Sequence, residues 1–107
     1  MIDHKHYTYK VTWSKEDNEY VALCAEFPSL SYLANNPDKA LKGIVDLVGD
    51  IIIDMYSNEE ELPEPLSEKK YSGKFQVRVP PELHRHLAIV AAEQGVSLNR
   101  YISSRLS

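Results

Sequence analysis

Residues 73–106 read GKFQVRVPPELHRHLAIVAAEQGVSLNRYISSRL. Lys74, Gln76 and Arg78 alternate with Phe75, Val77 and Val79, the pattern of one short strand with a polar and an apolar face. Pro80-Pro81 ends that strand, because proline cannot donate to a ladder and suits the first turn of a helix. The helix that follows carries Leu83, Leu87, Val90 and Ala91 on a single stripe. Gly95 supplies the left-handed residue that closes it, and Ser97 is a good N-cap for a second helix. That second helix repeats the stripe with Leu98, Tyr101, Ile102 and Leu106.

A strand and two helices in so short a segment cannot stand alone. Segments below about 40 residues rarely bury enough apolar surface to fold, and a lone strand leaves its N–H and C=O groups without partners. A second copy removes both difficulties by supplying an antiparallel strand across a two-fold axis, so an obligate homodimer is expected. Phe75, Val77 and Val79 would then be covered, with Leu87, Tyr101 and Ile102 in the same dimer core. Lys74, Gln76 and Arg78 would face outward from a two-stranded ribbon. Such a ribbon fits the DNA major groove, where these side-chain types read guanine and adenine edges.

These residues resemble the ribbon-helix-helix DNA-binding family of the Arc/MetJ type. The resemblance rests on the strand ending in Arg78-Val79-Pro80, the Pro81-Glu82-Leu83-His84 helix start and the turn Gly95-Val-Ser-Leu-Asn-Arg-Tyr-Ile102. It implies that Lys74, Gln76 and Arg78 contact bases, and that Ser97, Leu98 and Asn99 open a helix whose free N–H groups hold a DNA phosphate. The second role also follows from helix-end physics, since the first turn offers unpaired donors and a positive dipole end.

The chain has 107 residues, room for one ordinary domain or two small ones. Its net charge of −4 conceals an asymmetry: residues 1–70 hold 14 Asp/Glu against 7 Lys/Arg, and residues 71–107 hold 2 against 5. An acidic half joined to a basic half points to two partners, one basic and one a nucleic acid. Ser57 to Ser72, charged and interrupted by Pro63 and Pro65, reads as the connection, with Leu62 to Leu66 docking as an edge strand. The expected division is residues 1–66, a linker at 67–72, and residues 73–107. With one cysteine, Cys24, neither an intrachain disulfide nor a cysteine-based zinc site forms. No apolar run approaches the ~20 residues of a membrane span, and the start lacks a signal-peptide pattern, so a cytoplasmic location is expected.

The acidic half reads as three strands and a helix. His6 to Trp13 alternates, with Tyr7, Tyr9, Val11 and Trp13 on one face. Ser14 to Glu19 is a polar turn, Tyr20 to Ala25 a second strand and Leu30 to Ala34 a short third. Asn36-Pro37 starts a helix running to about Tyr56, with Leu41, Ile44, Val45, Val48, Ile52 and Met55 covering the sheet. Strands followed by one helix give an α+β fold, an antiparallel sheet with a helix on one face.

This half is similar to the HicB antitoxin family. The similarity rests on Tyr20-Val21-Ala22, Glu26-Phe27-Pro28, Lys39-Ala40-Leu41 and the later Leu62-Pro63-Glu64-Pro65. Ser29 and Asn35-Asn36 stand where that family usually has glycine. The resemblance implies a partial RNase H-like domain without activity, which covers the active site of a small basic mRNA-cleaving toxin of the HicA type. It implies an antitoxin that also binds operator DNA and regulates its own operon. The alternative is a stand-alone ribbon-helix-helix repressor whose first domain dimerises or senses a ligand. Two such domains per dimer leave room for a tetramer.

No catalytic residue, metal site or cofactor is expected. Asp46, Asp50 and Asp54 share one helix face but span too much length to converge on one ion, which leaves a solvated or partner-facing stripe. His4-Lys5-His6 lies in a segment expected to fray, and His84 and His86 are not on one face. Cys24 has no positioned histidine and reads as a small strand residue.

Overall fold

The short polar turn after Ser14 sets up an antiparallel meander. In the computed structural model, which describes residues 2–107, β1 (Tyr9–Ser14), β2 (Glu19–Cys24) and β3 (Ser31–Ala34) form one sheet in the order β1-β2-β3. The register pairs Trp13 with Tyr20 and Val11 with Ala22, and Ala22 in turn with Tyr32. Trp13 and Tyr20 therefore meet edge to face, with ring centroids 5.0 Å apart. The chain divides into two compact units, the first ending at Tyr71 and the second spanning Ser72–Ser107. Residues 67–71, read above as linker, group with the first unit.

Helix α1 (Pro37–Ser57) begins as its sequence requires. The Asn36 side chain accepts from Lys39 N–H at 2.8 Å, and Pro37 fills the first turn. Ala40, Ile44, Val48 and Ile52 are buried against Ala22, Cys24 and Tyr7, forming the core of this unit. Leu41, expected on the covering stripe, is instead 42% exposed. Ala40, its neighbour in the first turn, is fully buried. Burial pushes the Cys24 thiol up, consistent with a strand residue that packs rather than reacts.

Gly43 packs against the Tyr32 ring, and a Cβ there would overlap it. Glu59 closes α1 in the left-handed conformation (φ 59°), and Glu60 N–H reaches back to the Met55 carbonyl at 2.9 Å. An L-residue there costs about 1–2 kcal/mol. Glu59→Gly should therefore stabilise the unit by about 0.5–1 kcal/mol after the entropy of glycine is counted, seen as a higher urea midpoint.

β1 starts at Tyr9, not His6, and His4–His6 forms a single 3-10 turn. That turn is held rather than frayed. Asp3 accepts from Lys5 N–H at 2.9 Å, Tyr9 Oη donates to the His4 carbonyl at 2.6 Å, and the His4 ring packs on Gly49. Burial pushes the Tyr9 phenol up to about 12.

Residues 62–68 also differ from expectation: they dock on the first unit without forming a strand. Pro65 is buried, and Leu62 packs on the core. Side chains take the place of ladder bonds, because two prolines within four residues remove the donors a ladder needs. Tyr7 Oη donates to the Pro63 carbonyl at 2.7 Å, Leu66 N–H to Glu26 Oε2 at 2.9 Å, and Ser67 Oγ to the His6 carbonyl at 2.6 Å. His6 Nδ1 meets Glu68, and His6 Nε2 lies 3.5 Å from Asp3.

Glu26 is the centre of this strap. Its carboxylate also accepts from Thr8 N–H at 2.9 Å and Thr8 Oγ1 at 3.2 Å, tying the residues before β1, the turn after β2 and the strap together. Burial alone would raise its pKa, but the N–H groups of Leu66 and Thr8 outweigh that and hold it below its ordinary 4.5. Its contribution is thus complete above that value and lost as pH falls through the depressed one. His6 runs the other way. The Glu68 carboxylate holds its pKa above the ordinary 6.5, so its contribution is complete below 6.5 and lost as pH rises through the raised value. Proteolysis within residues 60–68 should therefore be slowest between pH 4.5 and 6.5. Glu26→Ala should speed it across the whole range and cost about 2 kcal/mol, since charge-assisted hydrogen bonds are worth roughly 1.5–3 kcal/mol.

Candidate nucleic-acid interface

The second unit is built from α2 (Pro81–Glu93) and α3 (Leu98–Leu106), preceded by residues 72–80. Pro81 opens α2 as expected. Gly95 (φ 69°) closes it in a Schellman motif, with Gly95 N–H on the Ala92 carbonyl and Val96 N–H on the Ala91 carbonyl, both at 3.0 Å. Ser97 caps α3, its hydroxyl accepting from Arg100 N–H at 3.1 Å. Ala91 and Tyr101 are the residues this unit buries by itself. Tyr101, assigned above to a dimer core, is thus already covered by its own chain, with Arg105 stacked over its ring at 5.8 Å.

Residues 74–79, expected as a strand, carry no ladder within the chain. The physical reason is plain: a ladder needs a second strand, and this unit has none. Phe75 stands 76% exposed and Val77 69%. With Val79 they line an open cleft of about 1010 Å³ whose other wall is Leu87, Leu98, Ile102 and Leu106. Leu106, on the α3 stripe, is itself 71% exposed.

The candidate DNA-contacting residues fall in two sets. Lys74, Arg78, Leu98 and Asn99 border this one cleft, while Gln76 and Ser97 do not. Without a pairing strand, nothing imposes the pleat that would separate Lys74 and Arg78 from the apolar side chains. The N–H groups of Leu98 and Asn99 lie in the first turn of α3, outside the helix's own ladder. All of Lys74, Gln76, Arg78 and Asn99 are exposed. His84 also lines the cleft.

Among the described residues, no group of three His, Cys, Asp or Glu could hold a metal ion, and no helix is long and apolar enough to cross a membrane. A family model described as the HicB family matches residues 56–106. Over those residues the chain is similar to the HicB family. The match covers just under half of the chain: the end of α1, the strap and nearly all of the second unit. The HicB match includes Leu62-Pro63-Glu64-Pro65 but not Tyr20-Val21-Ala22, Glu26-Phe27-Pro28 or Lys39-Ala40-Leu41. No curated protein and no solved structure matches the chain.

Proposed function

We propose that the chain is the antitoxin of a type II toxin–antitoxin system. Its first unit, a partial RNase H-like domain, neutralises a small basic mRNA-cleaving toxin of the HicA type. Its second unit is a ribbon-helix-helix module that pairs two chains and binds operator DNA to regulate their own operon. The HicB family match supports the antitoxin role. The observation that carries the DNA-binding half is the bare apolar edge of residues 75–79, facing Leu87, Leu98 and Ile102 across an open cleft.

In this reading two copies bring their 74–79 segments together as an antiparallel ribbon, closing each cleft and imposing the pleat. Lys74, Gln76 and Arg78 then point away from the apolar side and into the major groove. The N-terminal turn of α3 holds a phosphate. A basic second unit suits DNA, and an acidic first unit suits a basic RNA-binding protein.

A gel shift on the DNA upstream of the gene, with and without the product of any adjacent reading frame that encodes a small basic protein, tests both halves. Antitoxin function predicts a shift by the chain alone, a change of mobility when that protein is added, and suppression of its RNA cleavage. A chain that shifts DNA but neither binds nor inhibits that protein would be a stand-alone repressor instead. Arg78→Ala should cost about 1–3 kcal/mol at the operator and relax base preference at one position. Equal weakening on all sequences would make Arg78 a phosphate contact.

A further inference from the structure

The outer face of α1 carries a charge arrangement that the isolated chain leaves uncompensated. Asp46, Asp50 and Asp54 repeat at four-residue spacing on the exposed side, a like-charge series that weakens a helix. Only Asp46 has a cation in reach among the described residues, Lys42 at 3.2 Å. The last turn of α1 holds no basic residue, and Glu59, Glu60 and Glu61 follow it directly. Carboxylates are thus gathered at the negative end of the helix dipole, where cations are favoured.

The same face is not purely polar. Ile53 is 60% exposed and Tyr56 63% exposed. Ile53 borders an open cleft of about 640 Å³, lined also by Ile2, His4, Gly49, Ile52, Asp46 and Asp50. A cleft lined by apolar side chains and two carboxylates suits a long basic side chain, whose stem lies on apolar surface while its head seeks charge.

We propose that the α1 face from Asp46 to Tyr56 docks a small basic protein, one of whose arginine or lysine side chains lies along Ile2 and Ile53 and reaches Asp46 and Asp50. This deepens the antitoxin reading and rests on it: the occupant is the toxin. Its positive surface compensates the carboxylates that α1 cannot satisfy itself, and Ile53 and Tyr56 supply the dry contact. Complementary charge chiefly sets the association rate, so binding weakens with salt.

The test measures association of the full chain with a purified HicA-type toxin, taken from an adjacent reading frame where one encodes it, by surface plasmon resonance at several salt concentrations. Asp50→Lys/Asp54→Lys should slow association about 10-fold and flatten the salt dependence. Ile53→Ser should speed dissociation about 10-fold, and Leu33→Asp, on the opposite side of the sheet, should change neither rate. Circular dichroism and an unchanged urea midpoint of the first unit confirm that the variants are folded. Wild-type binding that survives both α1 variants overturns this docking surface while leaving the antitoxin reading intact. Loss of binding in Leu33→Asp alone does the same and moves the toxin to the sheet face. Failure of the wild-type chain to bind overturns both.

Discussion

Val77→Asp should abolish both chain pairing and operator binding while leaving the first unit untouched. In the single chain Val77 is 69% exposed, so a carboxylate there costs the monomer almost nothing. In a paired ribbon the same position is covered, and two-fold symmetry introduces the carboxylate twice. An unpaired buried charge costs several kcal/mol. Two at about 3 kcal/mol each would weaken association by roughly four orders of magnitude, enough to dissociate a dimer with a micromolar or nanomolar Kd. Sedimentation equilibrium should then report the 12.2 kDa chain mass, and the gel shift should vanish. The urea transition of the first unit should not move. A Val77→Asp protein that still pairs and still shifts operator DNA would remove residues 74–79 from the interface.

Ile44→Ala should have the opposite profile. Ile44 is fully buried beneath the sheet, among Ala22, Cys24 and Val48. Truncating such a residue costs about 2–5 kcal/mol through lost transfer energy and the cavity left behind. At roughly 0.05–0.15 kcal/mol per residue, a unit that ends at Tyr71 has little more than that to lose. The first unit should unfold at much lower urea, and toxin neutralisation should fail at 37 °C, while operator binding persists. A loss below about 1 kcal/mol would mean that Ile44 is not in the core. Together the two substitutions should separate the two activities, one per unit.

How far the sequence could be read depended on whether a feature was local. Asn36-Pro37, Gly95 and Ser97 announced helix ends because capping chemistry involves residues only a few positions apart. The period of Ile44, Val48 and Ile52 announced the buried face of α1 for the same reason. The strap was misread because its bonds join distant residues: Tyr7 to Pro63, Glu26 to Leu66 and His6 to Glu68. Glu26 was legible only as part of a motif, not as the carboxylate that three segments share. His6 looked free because Glu68 is sixty-two residues away. In the candidate DNA interface, the alternation from Lys74 to Val79 was visible at once. Its meaning was not contained in one chain, since the pleat that would sort those side chains needs a partner strand. Left-handed Glu59 escaped notice because glycine, not glutamate, is the usual sign of that conformation.

The central claim is that two copies pair through residues 75–79, and the backbone itself reports on it. Amide hydrogen exchange at these residues, followed as a function of protein concentration, tests it most directly. Pairing predicts amides protected at micromolar concentration, alternating along the ribbon, with protection lost on dilution and in Val77→Asp. Exchange at free-peptide rates at every concentration, in a chain whose α2 and α3 amides remain protected, would contradict it.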